Sequence, residues 1–260
     1  MRLEDKVIFL TGGADGIGWD CARAYAREGA KLVIADLRGE LAEERVAELR
    51  GTQAGKHRGI RCNVSDESDV ENAIGQALEV FGRIDVIHNN AGIGSPAKPL
   101  HTTTADEWDQ LFNVNLKSVY LTTKHGLDAL TQTKGNILNT SSMVGVMGQA
   151  NHAAYTATKG AMNTLTKSMA LDYAELGVRV NAVCPAGTWT PMLRTWVAEQ
   201  PNPKKMEDYL DQIHALGYCP EGDVIADAAV YLVSHEARFV TGHIMHVSGG
   251  AELGYRRLDP

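Results

Sequence analysis

Short apolar segments of strand length alternate with longer segments of helical period along the whole chain. Repeated units of this kind place the strands side by side in a parallel sheet, with helices packed on both faces. The pattern predicts an α/β fold with a doubly wound parallel sheet of about seven strands. The predicted strands are 7–11, 32–36, 59–62, 84–89, 135–140, 179–184 and 243–247. The predicted helices are 17–28, 41–49, 66–81, 107–130, 155–175 and 224–233.

No linker or internal repeat interrupts this order, so we predict a single domain over residues 1–260. One long stretch, about 188–217, lies outside the predicted sheet and contains Pro201 and Pro203. We expect this stretch to act as a substrate lid. Because ligands of doubly wound sheets bind beyond the carboxyl ends of the strands, we expect the chemistry at that edge.

The charge balance and the cysteine pattern argue against several classes of function. With 25 basic and 32 acidic side chains, the net charge of -7 gives no field that attracts nucleic acid or an anionic membrane. No apolar run is long enough to span a bilayer, and the first residues lack a signal-peptide pattern, so we expect a cytoplasmic protein. The histidines show no metal-ligand spacing, so we expect no catalytic metal. The cysteines are too scattered for a redox pair or a zinc site: Cys21, Cys62, Cys184 and Cys219.

A glycine-rich turn joins the first predicted strand to the first predicted helix. It reads Thr11-Gly12-Gly13-Ala14-Asp15-Gly16-Ile17-Gly18. Glycines let the backbone approach a pyrophosphate, which binds at the start of the following helix. The glycine spacing differs from the common GxGxxG, and an ordinary strand-to-helix turn is the alternative interpretation.

Asp36 ends the second predicted strand, where a carboxylate accepts hydrogen bonds from the adenosine ribose of NAD. The 2′-phosphate of NADP would meet the negative charges of Asp36 and Asp15, while Leu37 carries no charge. NAD is therefore the predicted cofactor. Arg38 is the one feature that opposes this preference, and a solvated acid at a strand end is the alternative interpretation of Asp36.

Tyr155 and Lys159 are four residues apart in a segment of helical pattern, so they share one face. A neighbouring ammonium and an oxidised nicotinamide favour the phenolate, so we expect the pKa of Tyr155 to fall toward ~7, which requires roughly 4 kcal/mol. Ser142 follows the strand predicted at 135–140, where its hydroxyl would hold the substrate oxygen while Tyr155 exchanges the proton. A surface Tyr–Lys contact and a turn serine are the alternatives.

Together these residues resemble the short-chain dehydrogenase/reductase family over nearly the whole chain. The matching segments are 11–18, 89–92 (Asn-Asn-Ala-Gly), 113–115 (Asn-Val-Asn) and the set Ser142, Tyr155 and Lys159. The resemblance implies a Rossmann-like domain that transfers a hydride between NAD and a secondary alcohol, with Tyr155 as general acid/base. It also implies a homotetramer in which the tail 251–260, with Tyr255, packs on a neighbouring subunit.

The resemblance also assigns roles to individual residues. Asn115 joins the catalytic set and positions Lys159 through water, Lys159 binds the nicotinamide ribose, and Asn90 lines the adenosine side. A satisfied helix asparagine is the alternative for Asn115. The implied cofactor contacts are Gly12, Asp15, Gly16, Ile17, Gly18, Asp36, Asn63, Val64, Asn90, Ala91, Gly92, Tyr155, Lys159, Pro185, Thr188 and Thr190.

Three positions depart from the family pattern. Asn63 stands where the family has an aspartate before Val64, and its amide would still bond the adenine. Ala186 replaces the usual glycine after Pro185, so the backbone there must accept a Cβ atom. Ser248 replaces an aspartate near the end of the chain, which we expect to affect packing more than chemistry.

The predicted pocket combines polar and flat apolar groups. Gln149, Asn151 and His152 precede the catalytic helix, and Trp189 and Trp196 belong to the predicted lid. With Ser142, we predict that Gln149, His152, Trp189 and Trp196 bind the substrate. Amide groups favour ligands that carry hydroxyls, which indicates a sugar or polyol. A helix-start histidine and a core tryptophan are the alternatives for His152 and Trp196.

Three hypotheses of function follow. The first is an NAD-dependent dehydrogenase of a sugar or polyol, and the second is a hydroxysteroid dehydrogenase or 3-oxoacyl reductase. The third is a dinucleotide-binding scaffold without catalysis, which would not need the intact Ser142, Tyr155 and Lys159. Segments 185–191 and 249–255 are similar to the branch of the family that contains L-fucose dehydrogenases and the type fourteen 17-beta-hydroxysteroid dehydrogenase.

Overall fold

The computed structural model describes residues 1–49 and 57–254. Within them, seven parallel strands form one sheet in the order β3-β2-β1-β4-β5-β6-β7. The strands are β1 (Val7–Thr11), β2 (Lys31–Asp36), β3 (His57–Arg61), β4 (Val86–Asn89), β5 (Asn136–Thr140), β6 (Arg179–Pro185) and β7 (Ile244–Val247). The strand order reverses between β1 and β4, and the connections that diverge there open a crevice at the carboxyl edge.

Helices cover both faces of the sheet. They are α1 (Gly16–Arg27), α2 (Gly39–Glu48), α3 (Glu67–Phe81), α4 (Ala105–Phe112), α5 (Ser118–Thr133), α6 (Ala153–Asp172), α7 (Pro191–Ala198), α8 (Pro203–Ile213) and α9 (Asp223–Val233). Side chains of β1 alternate between the faces: Ile8 and Leu10 pack with α1 and α9, whereas Phe9 packs with α3 and α5. Since both faces are buried, β1 is an unbroken apolar run, which is typical of a parallel strand. The predicted α/β fold class is confirmed.

The helix predicted at 107–130 is not continuous. Three segments replace it: α4, a π-helical turn at Asn113–Lys117, and α5. A capping box, in which Thr104 and Glu107 exchange hydrogen bonds, starts α4 ahead of the predicted first residue. The wide turn carries Asn115, whose side chain reaches out of the helix to the backbone of another segment, so the helical period breaks there.

The segment 188–217 contains two helices rather than an irregular stretch. Thr190 and Asn202 cap α7 and α8, and each helix has a proline, Pro191 or Pro203, as its first residue. Proline is favoured at that position because the missing N–H has no helical partner to lose. The proposed tail contact of Tyr255 lies outside the described residues.

Neither a membrane-spanning helix nor a group of metal ligands is present in the described ranges. No helix within 1–49 and 57–254 is long and apolar enough to cross a membrane. In the same ranges, no three His, Cys, Asp or Glu side chains are grouped as metal ligands.

Candidate active site

A cavity of ≈ 1500 Å³ opens at the carboxyl edge of the sheet, above β1, β4, β5 and β6. Every residue named above as an implied cofactor contact lines this cavity, from Gly12 to Thr190. Ser142, Gln149, His152 and Trp196 line it as well. One cavity thus joins the predicted cofactor residues to four of the five predicted substrate residues.

The glycine turn leaves no room for side chains. Gly12 has a φ of 60°, and a Cβ atom there would lie 2.8 Å from the Cα of Ala91. A Cβ atom on Gly18 would overlap the carbonyl oxygen of Gly12 and lie 2.5 Å from Nδ2 of Asn90. Asp15 caps α1 by accepting a hydrogen bond from the Gly16 N–H at 2.8 Å. The start of α1 is therefore exposed as backbone, as a bound pyrophosphate requires.

Thr11 and Asn90 tie the turn to the end of β4. The Thr11 hydroxyl oxygen accepts hydrogen bonds from the N–H groups of Asn90 and Ala91, at 3.0 and 3.1 Å. Asn90 Nδ2 in turn donates to the carbonyl oxygens of Thr11 and Gly12, at 3.2 and 2.9 Å. Asn90 lines the cavity, but its amide donors hold the turn.

Asp36 lies at the far corner of the cavity and is buried. Its two oxygens accept hydrogen bonds from the N–H groups of Ala14 and Arg38, at 3.1 and 3.0 Å. The Arg38 guanidinium lies between Asp36 and Asp15, at 3.4 and 3.2 Å. Two carboxylates and one guanidinium leave this corner with a net charge of about -1. The negative charge of this corner therefore disfavours the 2′-phosphate of NADP, although the positive charge of Arg38 weakens the repulsion.

Asn63 uses its side-chain oxygen in a local turn, where it accepts hydrogen bonds from the N–H and hydroxyl of Ser65, at 3.2 and 2.7 Å. The backbone N–H of Asn63 donates to Asp69 at 3.0 Å. The amide that replaces the family's aspartate thus fixes the loop shape beside Val64.

The two predicted threonines of the β6 loop also bond locally. Thr188 donates to the Ala186 carbonyl at 3.3 Å, and Thr190 accepts from the Leu193 N–H at 3.1 Å. Thr190 lies against the glycine turn, since its Cγ2 is 3.3 Å from the place where a Gly16 Cβ would be. The loop after Pro185 and the turn thus form facing walls of the cavity.

Ser142, Tyr155 and Lys159 come together where β5 ends and α6 begins. Ser142 caps a short 3₁₀ turn and accepts from the Val144 N–H at 3.3 Å. Tyr155 lies in the first turn of α6, and the Nζ of Lys159 is 5.7 Å from the centre of its ring. That Nζ donates a hydrogen bond of 2.8 Å to the Thr140 carbonyl oxygen, which anchors the amine beneath the cavity.

Burial shifts the pKa values of both groups toward the neutral form. It lowers the pKa of Lys159 from 10.5 to about 8. It raises the pKa of Tyr155, and the hydroxyl of Ser142 only partly opposes this effect. The predicted fall of the Tyr155 pKa includes the charge of an oxidised nicotinamide and stays a prediction, whereas in the protein alone desolvation of the phenol raises this pKa.

Asn115 lies below the cavity rather than on its wall and is fully buried. Its Oδ1 accepts from the Ile93 N–H at 2.8 Å, and its Nδ2 donates to the Ile93 carbonyl at 2.9 Å and the Thr158 hydroxyl at 3.2 Å. Thr158 directly precedes Lys159 in α6. Asn115 therefore joins the β4 loop directly to α6, and no sequence pattern predicts the π-helical turn that carries it.

Trp189 is the predicted substrate residue that the structure places elsewhere. Its side chain packs against Val197, Leu210 and Cys219, with the Arg194 guanidinium 4.9 Å from the ring centre. This tryptophan therefore belongs to an apolar cluster formed within residues 189–219 and does not line the cavity. Only Trp196 of the predicted aromatic pair lines the cavity, with 37% of its surface exposed.

Sequence reasoning missed two further walls of the cavity. Polar side chains of α4 and α8 form one, and three methionines form the other. The capping box that starts α4 is a sequence pattern that would have located the first wall. The residues are Asp106, Asp109, Gln110 and Gln212, and Met143, Met147 and Met192.

Comparison with known proteins agrees with this arrangement. A family model described as Enoyl-(Acyl carrier protein) reductase matches residues 12–252. An L-fucose dehydrogenase of Bos taurus is 40% identical over 259 residues, which cover 98% of this chain and 93% of that protein. The chain belongs to the short-chain dehydrogenase/reductase family.

Two other members of the family are similar over almost their full length. The meso-2,3-butanediol dehydrogenase of Serratia marcescens is 36% identical over 251 residues, which cover 96% of each protein. The crystal structure of a 3-ketoacyl-(acyl-carrier-protein) reductase from Brucella melitensis complexed with NADH matches with a TM-score of 0.88. Its sequence identity is 31%, and the match covers 96% of this chain and 99% of that chain.

As a short-chain dehydrogenase/reductase, the protein is an NAD-dependent oxidoreductase that acts on CH–OH groups. The predictions of the family, the reaction class, the cofactor and the similarity to the L-fucose dehydrogenase branch are confirmed. The roles of individual residues and the substrate are taken up as proposals below.

Proposed function

We propose that this protein oxidises a secondary hydroxyl group of a sugar or polyol with NAD. The observation that carries the proposal is the set of hydrogen-bonding side chains that line the same cavity as Tyr155. Carboxylates and amides of α4 and α8 stand there with Gln149 and His152. A ligand with several hydroxyls would form hydrogen bonds with such groups, whereas an apolar ligand would only remove them from water. The named L-fucose and butanediol dehydrogenases act on such compounds.

Four residues carry the proposed proton chemistry. Ser142 holds the substrate oxygen, and Tyr155 as phenolate takes its proton as the alcohol becomes a ketone. Lys159 stabilises that phenolate with its positive charge. Asn115 holds Thr158 by a hydrogen bond and thereby positions the helical turn to which Lys159 belongs. A phenol that desolvation keeps protonated becomes a competent base only when positive charge is added nearby, so cofactor binding and base formation are coupled.

The cavity fits NAD at its inner end. The backbone of Gly12, Gly16 and Gly18 would hold the pyrophosphate, and Asp36 would accept hydrogen bonds from the adenosine ribose. When bound, NAD supplies the hydride acceptor. The close packing at Gly18 supports this assignment, because it holds the turn in one conformation before binding.

An apolar wall favours a second candidate. Met143, Met147 and Met192 line the same cavity and, with Trp196, offer a surface for a flat or extended hydrocarbon. A hydroxysteroid or a 3-oxoacyl chain would use this wall, and the similar 3-ketoacyl reductase supports the acyl version.

Three finer features belong to the same proposal. We propose that the segment 188–217 closes over the substrate, since α7 and α8 line the outer part of the cavity. The family resemblance supports a homotetramer, which light scattering tests. A cytoplasmic location follows only from the sequence and is tested by fractionation.

A substrate panel tests the proposal. NADH formation from NAD is followed with L-fucose and other aldoses, butanediol, a hydroxysteroid and a 3-hydroxyacyl thioester, and each reaction is repeated with NADP. We expect the highest kcat/KM for an aldose or diol. Gln149→Leu should lower kcat/KM for that substrate by about tenfold, the cost of one buried hydrogen bond. Met147→Gln is the matched control, and it should affect a steroid or acyl substrate instead.

Two results would contradict the proposal. Preference for the steroid or the thioester, with aldoses and diols inactive, would favour the second candidate. Binding of NADH without oxidation of any alcohol would instead support the scaffold hypothesis.

A further inference from the structure

A fully buried histidine lies beneath the cofactor turn, in the middle of the sheet. His88 belongs to β4, which pairs with both β1 and β5, and none of its surface is exposed. Its Nδ1 is 3.0 Å from the hydroxyl oxygen of Tyr25 in α1, and its Nε2 is 2.9 Å from the hydroxyl oxygen of Thr140 in β5. Both of these partners are buried too. The imidazole thus joins α1 to β5 through two buried hydrogen bonds.

The hydrogen bond between Thr140 and Asn90 determines which group donates and which accepts in the series of hydrogen bonds around His88. Asn90 donates through Nδ2 to the Gly12 carbonyl, so its Oδ1 is the acceptor for the Thr140 hydroxyl, at 3.4 Å. Thr140 therefore accepts from an Nε2–H of His88, and His88 Nδ1 accepts from the Tyr25 hydroxyl. Each of these donors has an acceptor only if the neutral imidazole of His88 carries its proton on Nε2. The chain runs from Tyr25 through His88, Thr140 and Asn90 to the glycine turn.

The same chain reaches the catalytic amine. The backbone carbonyl of Thr140 accepts the hydrogen bond from Lys159 Nζ, and the hydroxyl of Thr140 accepts the one from His88. A side chain held by a directed hydrogen bond keeps fewer rotamers than a free one. His88 therefore limits the motion of the residue that anchors Lys159 and of the residue that holds Gly12.

We propose that His88 is a positioning residue that fixes the cofactor turn, through Thr140 and Asn90, and the anchor of the catalytic lysine. This inference rests on the cofactor and catalytic roles proposed above for Gly12 and Lys159. Burial lowers the pKa of the imidazole to about 3, so it is neutral near pH 7 and its hydrogen bonds do not change there. His88 acts as a fixed link and not as a proton carrier.

Three variants separate positioning from packing. His88→Leu removes both hydrogen bonds. His88→Gln keeps an N–H donor on a side chain of similar reach. Tyr25→Phe is the matched control, because it removes only one of the two hydrogen bonds of His88, the one that lies farther from the cavity. Each variant is compared for the dissociation constant of NADH by fluorescence titration, for Tm without cofactor, and for kcat at saturating NAD.

We expect His88→Leu to raise the dissociation constant of NADH about tenfold, the effect of one lost buried hydrogen bond, and to lower kcat. His88→Gln should recover most of the affinity. Tyr25→Phe should also lower Tm, because it leaves His88 Nδ1 without its partner, yet leave the NADH affinity within about twofold. If His88→Leu does not fold, Thr140→Val removes the next bond of the chain, and the same tenfold loss is expected.

The inference is overturned if His88→Leu, or Thr140→Val in its place, binds NADH within about twofold of the wild type. It is also overturned if Tyr25→Phe weakens binding equally, since the effect would then be one of packing. A wild-type protein that binds no NADH would remove the proposed function together with this inference, so the two failures are distinguishable.

Discussion

Lys159 is buried at a cost in stability that should depend on pH. Because burial lowers its pKa from 10.5 to about 8, the folded protein holds the proton more weakly than the unfolded chain does. At about 1.36 kcal/mol for each pKa unit, the cost below pH 8 is about 3 kcal/mol. Lys159→Met removes this cost but also loses the hydrogen bond to Thr140, worth about 1 kcal/mol. We expect the variant to be about 2 kcal/mol more stable than the wild type at pH 7.

The advantage should disappear in alkaline solution. Below pH 8 both states of the wild type are protonated, so the full cost is present. Between about pH 8 and pH 10.5 the folded state loses the proton while the unfolded state keeps it, so wild-type stability rises with pH. The difference in unfolding free energy between Lys159→Met and the wild type should therefore fall by roughly 2 to 3 kcal/mol from pH 7 to pH 10.

Urea unfolding without cofactor at pH 7, 8.5 and 10 measures this difference. Lys167→Met is the matched control, because Lys167 is exposed on the same helix, and its effect should stay within about 0.5 kcal/mol at each pH. Subtracting variant from wild type removes the titration of distant groups. A difference for Lys159→Met that does not change between pH 7 and pH 10 would refute the reasoning. The variant should have almost no activity, so added stability here would come with lost function.

Other substitutions test the remaining parts of the site. Tyr155→Phe should keep NADH affinity within about twofold and lower kcat at least 100-fold, and retained turnover would contradict its role as acid/base. Gly18→Ala places a methyl group against the Gly12 carbonyl, so NADH affinity measured by fluorescence should fall more than tenfold, while Gly75→Ala, which meets no neighbouring atom, should leave it unchanged. Asp36→Asn removes a charge from the ribose corner and should raise kcat/KM for NADP relative to NAD at least tenfold, and an unchanged ratio would contradict the proposed selectivity.

The strands were predictable because their sequence pattern has a direct physical cause. A parallel strand covered on both faces is apolar at almost every position, as in Val7–Thr11, so its limits are visible without tertiary information. The strand predicted at 59–62 begins two residues earlier, as β3 (His57–Arg61), and it is an edge strand in which Arg58 and Arg61 are exposed. An edge strand needs no continuous apolar run, so its pattern is fainter.

Two errors concern features that local sequence does not encode. The π-helical turn at Asn113–Lys117 exists because Asn115 reaches Ile93, which lies more than twenty residues away in the chain. The spacing of apolar residues along a helix does not reveal a hydrogen-bond partner so far away in the sequence. Trp189 was assigned to the pocket because it lies in the lid stretch, but outside the sheet no alternation of faces tells which way a side chain points. Its position was decided by the small apolar cluster with Val197 and Leu210.

Gly92 of the Asn-Asn-Ala-Gly motif leaves space for the side chains of Asn115 and Lys159, and its backbone conformation does not itself require glycine. A Cβ atom at this position would lie 3.3 Å from Asn115 Oδ1 and 3.7 Å from Lys159 Nζ. The first distance is tighter than ordinary contact, and Asn115 cannot move away without breaking its bonds to Ile93. The φ of Gly92 lies outside the left-handed region, so no backbone strain requires glycine here. The absence of a side chain at Gly92 is what lets the asparagine and the buried lysine approach the same short segment of the β4 loop.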